Sequence, residues 1–213
     1  MKEYSMNLNN THENHRDNWC GSYRQSIRQT TVEIRFPYDI SNSRGPSSLA
    51  SLVINLGPEA KAGTTHEAAQ AEIVILAIQW SHVVQALTNL PFWNGHLLID
   101  ATNPDIYFNP DLKVAELGGR TSSEFIAGLV PGARLVKAFN TLCYKIIENH
   151  SEQAYGRRII FISGDDVYSK RHCSHLISQL GFEPVDLGGL AFGGRLYQIG
   201  GPLSHLNLIQ LRS

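Results

Sequence analysis

Ile73-Val74-Ile75-Leu76-Ala77-Ile78 is apolar at every position rather than at every second one. A strand with one wet face alternates apolar and polar residues. A strand apolar throughout is covered on both faces, which is the condition of a parallel sheet sandwiched between helices. This one run therefore demands helices on both sides of a sheet, and the remaining chain can be searched for them.

The segments on either side comply. Pro46 suits a first helical turn; Leu49, Leu52, Val53 and Leu56 then form one face, and Gly57 stops the helix. Lys61-Ala62 is a candidate short strand, and Thr64-Thr65-His66-Glu67 is a capping box opening a brief helix. Ser81 is expected to cap a helix carrying Val83, Val84 and Leu87. His96 to Asp100 reads as a strand, and Thr121-Ser122-Ser123-Glu124 as a second capping box leading into Phe125, Ile126 and Leu129. Leu135 to Ala138 and Arg158 to Ser163 are further strands. Asp165-Asp166 then cap a helix running to about Leu180, before a last strand at Glu183 to Asp186. Strands alternating with helical segments define βαβ units. The expected class is α/β, with a doubly wound, mostly parallel sheet over residues 38–187.

Beyond Leu187 lies a tail, 188–213, carrying Gly188, Gly189, Gly193 and Gly194, then Gly200-Gly201-Pro202 and a helix expected from Leu203. Those glycines either let backbone approach a flat ligand or simply make turns. Arg195 is either a solvated loop charge or an anion contact near a second substrate.

Composition removes several classes of function. A net charge of −1 offers nothing to nucleic acid or to an anionic membrane surface. No run of about twenty apolar residues is present to span a bilayer, and the polar start is not a signal peptide. Cys20, Cys143 and Cys173 are an odd, scattered set, unsuited to a disulfide framework. The expected compartment is the cytoplasm. His172, Cys173 and His175 lack third and fourth ligands at a suitable spacing, so no metal is expected. No Ser-His-Asp or paired-carboxylate arrangement can be drawn either, and no catalytic residue is assigned.

What remains is polar chemistry at strand ends. In open α/β sheets, ligands bind at the carboxyl ends of the strands. Ser43 and Arg44, Gln79, Asn103, Asn140 and Thr141 all fall there. Singly, each is equally a turn or cap residue; the set on one sheet edge is harder to dismiss. After a second strand, an acidic residue would hold the ribose 2′-OH of NAD, whereas an arginine accommodates the 2′-phosphate of NADP. Asn42-Ser43-Arg44 contains no acid, and a guanidinium beside a hydroxyl suits a phosphate dianion. Asn103 and Asn140 could frame a nicotinamide.

Residues 1–37 do not fit. They are rich in Asn, His, Arg, Gln and Thr, and their apolar residues follow neither period, so they read as an aberrant or disordered segment. The first strand and the glycine-rich turn belong there, yet near Trp19 to Arg24 only Gly21 is present. Reading the codons for His12 to Arg24 one nucleotide later is compatible with Met-Lys, an apolar strand and Gly-Ala-Gly-x-x-Gly. Residues 12 to about 37 are therefore expected to be a frameshifted translation, with the frame restored by Tyr38-Asp39. Reading the coding DNA tests this: no glycines in the shifted frame would end the idea.

Five motifs in order, Ser41-Asn42-Ser43-Arg44-Gly45, Leu76-Ala77-Ile78-Gln79-Trp80, Asp100-Ala101-Thr102-Asn103-Pro104, Lys137-Ala138-Phe139-Asn140-Thr141 and Gly193-Gly194-Arg195-Leu196, resemble the NADPH-dependent reductases of coenzyme F-420, a deazaflavin. The cytoplasmic NADPH domains of membrane metalloreductases are relatives of that family. The resemblance spans about residues 39–211. It implies a Rossmann-type domain with a small C-terminal extension, NADP as cofactor, coenzyme F-420 as co-substrate, and direct hydride transfer without a protein acid or base. Carried over, Ser43 and Arg44, with Asn42 beside them, hold the 2′-phosphate. Ala77, Ile78 and Asn103 line the dinucleotide, and Ala138 and Asn140 sit near the nicotinamide. The expected partner is a small-molecule electron acceptor (ferric ion, a flavin and small carbonyls are open alternatives), and a homodimer would be ordinary. The other readings are a non-catalytic nucleotide-binding or sensing protein, and a C=N or C=O reductase using Tyr197 or Lys137 as proton donor.

The sequence departs from the family at Gln79, where proline is common, and in the missing glycine fingerprint. Losing four or five buried side chains of a first strand, at roughly 1.5–3 kcal/mol each, rivals a domain stability of about 5–15 kcal/mol. The written chain is accordingly expected to fold marginally and bind NADP poorly.

Overall fold

A computed structural model describes residues 4–7, 37–107, 112–142, 146–147, 152–153 and 155–211; of 4–7, 106, 107, 112, 152 and 153 it describes the backbone course. The strands in chain order are β1 (Tyr4–Asn7), β2 (Tyr38–Ser41), β3 (Ala60–Ala62), β4 (Ile73–Leu76), β5 (Leu97–Asp100), β6 (Asp105–Tyr107), β7 (Leu112–Val114), β8 (Arg134–Lys137), β9 (Glu152–Gln153), β10 (Gly156–Gly164), β11 (Glu183–Asp186) and β12 (Ile209–Leu211). The helices are α1 (Ala50–Leu56), α2 (Thr65–Ala68), α3 (Val83–Thr88), α4 (Ser122–Leu129), α5 (Val167–Gln179) and α6 (Gly193–Tyr197). Single 3-10 turns over Pro46–Leu49 and Trp80–His82 lead into α1 and α3.

The main sheet runs β11-β10-β8-β5-β4-β1-β2-β3. From β3 to β8 every neighbouring pair is parallel. That is the strand order of a dinucleotide-binding fold, with the order reversing between β1 and β4. β10 then joins β8 antiparallel, and β11 lies parallel to β10. β6 and β7 form a separate two-stranded hairpin.

Alternate residues of the central strands feed two different cores. Ile73, Leu97, Ile99 and Val136 pack with Leu49, Leu56, Leu176 and Ile177 on the α1/α5 face. Val74, Leu76, Leu98 and Leu135 pack with Val83, Leu87, Ile126 and Val130 on the α3/α4 face. The unbroken apolar run through Ile73 has its physical reason here, since neither face of the strand meets water.

Both capping boxes form. Thr64 Oγ1 accepts the Glu67 N–H while Glu67 Oε2 accepts the Thr64 N–H, and Thr121 and Glu124 repeat the arrangement. Asp166 caps α5 by accepting the Ser169 N–H at 2.7 Å.

Three expectations are corrected. The place of the first strand is filled: β1 lies between β2 and β4, with Tyr4 opposite Tyr38 on one side and Ile73 on the other. Parallel pairing is made by backbone groups, so a short segment without an apolar run can take the position. The expected frameshift, the glycine loop near Trp19 to Arg24, and Cys20 and Cys143 lie outside the described residues. Second, Ser81 does not cap α3, which grows out of the Trp80–His82 turn without a side-chain cap. Third, no helix starts at Leu203. Gly200 and His205 adopt left-handed φ values of 85° and 64°, turning the chain back so that β12 pairs antiparallel with the start of β10. Gly156 permits this pairing, because a Cβ there would meet the Gln210 carbonyl oxygen at 2.1 Å.

Candidate functional site

The polar residues singled out at strand ends do collect along the carboxyl edge of the parallel strands. After β2 the chain makes a tight turn around Asn42, which is buried. Asn42 Oδ1 accepts the Arg44 N–H at 2.9 Å, its Nδ2 donates to Ser48 Oγ at 3.0 Å, and the Ser48 hydroxyl reaches the Gly45 carbonyl at 2.7 Å. An Asx residue bonding two residues ahead shapes the turn, and Gly45 completes it with φ 85°, which a side chain would resist. Asn42 thus builds the platform, and Ser43 and Arg44 stand exposed upon it.

Next along the edge, the ends of β4, β5 and β8 carry the residues expected to line a dinucleotide. Ala77 and Ile78 are buried where β4 ends, and Ala138 is fully buried past β8. Gln79 has φ −65° and ψ 143°, the region that proline itself imposes, so the turn keeps its shape without a proline. Asn103 Nδ2 donates to the Asn140 carbonyl at 3.0 Å, and Asn140 Nδ2 donates to Asn103 Oδ1 at 3.1 Å and to the Tyr197 carbonyl at 3.1 Å. What brings Asn140 round is Phe139, a non-glycine residue at φ 65°. Such a conformation costs about 1–2 kcal/mol and is held where surrounding packing over-determines it. Asn140 Oδ1 is buried without a hydrogen-bond partner among the described residues, an acceptor of the kind a primary amide N–H of a ligand would fill.

Beneath this pair lies a group of residues whose assembly the sequence analysis did not foresee. Asp100 and Lys137 are register partners in β5 and β8 and are both fully buried. Lys137 Nζ donates to Asp100 Oδ2 at 3.2 Å, to the Thr102 carbonyl at 3.1 Å and to Ser122 Oγ at 3.1 Å, which uses all three of its protons. Asp100 also accepts from the Thr102 N–H at 2.9 Å, from Thr102 Oγ1 at 2.7 Å and from Ser123 Oγ at 2.5 Å. Tyr197 Oη donates to the Lys137 carbonyl at 2.7 Å, and burial pushes its phenol well above the ordinary value. Neither Lys137 nor Tyr197 can serve as a proton donor to substrate in this arrangement, because both are spent on the protein's own carbonyls and carboxylate. The signal that would have disclosed the pair is two opposite charges at the same terminal position of adjacent apolar strands.

The tail glycines resolve toward packing. A Cβ on Gly193 would lie 2.3 Å from Ser163 Oγ, and one on Gly201 would lie 2.5 Å from the Arg195 and Leu196 carbonyl oxygens. Arg195 belongs to α6 and donates to the Gly119 carbonyl at 2.6 Å. His172 and His175 are exposed on α5 while Cys173 is fully buried, its thiol pushed up by desolvation. No group of three or more potential metal ligands occurs among the described residues. Nor, among them, is any helix long and apolar enough to cross a membrane.

The strand order defines an α/β domain of the Rossmann type, the order found in dinucleotide-binding folds. A family model described as NADP oxidoreductase, coenzyme F420-dependent, matches residues 20–104. A hypothetical protein from Sinorhizobium meliloti, 37% identical, superposes with a TM-score of 0.84 over 99% of this chain and 96% of its own. A provisionally assigned F420-dependent NADP reductase from Arthrobacter, 22% identical, shares the fold with a TM-score of 0.69 over 89% of this chain and 86% of that one. Metalloreductase STEAP3 of Rattus norvegicus is 27% identical over 173 residues, which is 80% of this chain but 33% of the metalloreductase. The chain thus spans a third of that relative's length. The chain and the Sinorhizobium meliloti protein belong to one family, and residues 20–104 match the model of coenzyme F420-dependent NADP oxidoreductases.

Proposed function

We propose that this chain binds NADPH along the carboxyl edge of its sheet, and that hydride passes from it to a deazaflavin of the coenzyme F-420 type or a similar small acceptor. The observation that carries the reading is the state of the two ionisable groups nearest the Asn103–Asn140 pair. Lys137 and Tyr197 are buried and fully engaged, which leaves the amides of Asn103 and Asn140 beside two groups that are not free to trade a proton. That composition suits a reaction whose chemistry resides in the cofactor and acceptor, with the protein supplying position. NADPH, when bound, supplies the hydride. Ser43 and Arg44 would hold its 2′-phosphate on the turn built by Asn42, and Asn140 Oδ1 would accept from the nicotinamide amide.

The test uses NADPH deuterated at the transferring position of the nicotinamide C4, with a deazaflavin as acceptor. Loss of absorbance at the reduced nicotinamide band, with the label retained on the reduced acceptor, is expected. Label released to water would sink direct transfer. Binding of NADPH without reduction of any acceptor would instead mark a nucleotide-sensing protein.

A further inference from the structure

Two guanidinium groups hooked to the loop 117–120 are left unused by the reading above. Arg120 immediately precedes Thr121, which caps α4, and Arg195 lies in α6. Both are exposed, yet both are anchored. Arg195 Nη2 donates to the Gly119 carbonyl at 2.6 Å, and Arg120 Nε donates to the Leu117 carbonyl at 3.4 Å. The Arg120 guanidinium also stands 5.4 Å from the centre of the Phe125 ring, a cation–π distance. Phe125 in turn packs on Trp80, 5.6 Å between ring centres, at the end of β4. Two cations are therefore hooked to carbonyls of one short loop, and one of them, Arg120, stands over Phe125, which packs on Trp80 in the turn that follows β4.

That loop is held firmly against the site. Thr121 Oγ1 donates to the Leu190 carbonyl at 3.2 Å, and the Ser122 N–H donates to Gln198 Oε1 at 3.1 Å. Arg195 is two residues before Tyr197, whose carbonyl takes the Asn140 amide. Among the described residues no carboxylate forms an ion pair with either arginine; the pairs found there are Lys137–Asp100 and Lys170–Asp186. Fixing two guanidinium groups to carbonyls two residues apart on one loop costs side-chain entropy. A dianion bound by both would offset that cost through charge-assisted, bidentate bonds. A phosphate group, with a charge of about −1.5 to −2 at neutral pH, matches the two positive charges.

We propose that Arg120 and Arg195 form a phosphate subsite for the electron acceptor, so that the chain selects planar acceptors bearing a phosphate over uncharged ones. The identity of the ligand as an acceptor rests on the hydride-transfer reading; the subsite itself does not. The probes are flavin mononucleotide and riboflavin, which share one ring system and differ by the phosphate. Each is titrated against the full chain by quenching of its own fluorescence, without NADPH. The expected preference for the phosphorylated flavin is about tenfold or more, and it should shrink as ionic strength rises. In Arg120→Gln and Arg195→Gln the preference falls part-way, and in the double variant it disappears while riboflavin affinity and the melting temperature stay unchanged. Equal affinities in the unaltered protein would overturn the subsite, and so would a preference that survives in the double variant. NADPH affinity, read from its own fluorescence, should not move in any of these variants. Failure of NADPH to reduce either flavin, with the preference and its loss intact, would count against hydride transfer and for the subsite.

Discussion

Two polar regions share the carboxyl edge of this sheet and are built on opposite terms. Under the centre, Asp100 and Lys137 are charged, fully buried and bonded at every available position. At the β2 end, Ser43 and Arg44 face solvent on a turn whose internal bonds come from Asn42 and Ser48. The first region has satisfied itself and ties β5, β8, α4 and the tail together. The second lies in the open, on a turn shaped by a neighbouring amide and hydroxyl. Position on a sheet edge does not distinguish an accessible charge from a structural one; burial does.

The contrast can be broken most forcefully at Lys137. Lys137→Met strands the Asp100 carboxylate in the interior and should lower unfolding stability by about 3–5 kcal/mol, measured by urea denaturation. The double change Asp100→Leu with Lys137→Met should recover most of that loss, because the penalty lies in the unpaired charge. Arg44→Ala should do the reverse. Affinity for NADPH, followed by its fluorescence, is expected to drop about 10- to 100-fold, the worth of one charge-assisted contact, while NADH affinity and the urea midpoint stay put. An equal effect on both nucleotides would show that Arg44 does not read the 2′-phosphate.

Smaller changes sharpen the boundary. Tyr197→Phe removes the donor to the Lys137 carbonyl and should cost about 1 kcal/mol of stability, with little effect on nucleotide affinity. Asp166 provides a control far from both regions. The Ser169 hydroxyl and N–H hold its carboxyl below the ordinary carboxylate range. A pKa lowered by folding gives stability that is present above the unfolded value and is lost as pH falls through the folded one. Asp166→Asn keeps the cap but does not titrate. Its stability should match that of the original chain at neutral pH and fall less steeply in acid, by about 1 kcal/mol or less.

Much of this architecture was legible, for reasons that differ by segment. Ile73 to Leu76 announced a two-faced strand because each residue had its own core to enter. Thr64 and Thr121 announced helix starts because the capping box is a local contract between residues three apart. Ser43 and Arg44 were legible as an edge motif, since turn chemistry is written in consecutive residues. The Asp100–Lys137 pair was not, because its members are brought together only by strand register. The helix expected from Leu203 is absent because the left-handed backbone at His205, which turns the chain toward β12, leaves no trace in hydrophobicity. Arg120 went unweighed, its role emerging only from the loop it shares with the anchor of Arg195. β1 was missed because its place in the sheet is granted by backbone pairing rather than by an apolar pattern.

That central strand has a kinetic consequence. β1 must be flanked by β2 on one side and by β4 on the other. Although it precedes β2 and β4 in the chain, its second neighbour is not complete until Leu76 has been made. Closing so long a loop carries an entropic cost that local contacts cannot offset in advance, and topologies rich in distant pairings fold slowly. The sheet should therefore zip from the β4–β5–β8 side, with the N-terminal strand inserted late. During synthesis, that delay is the interval in which a chaperone or a protease would find the edge of β4 open.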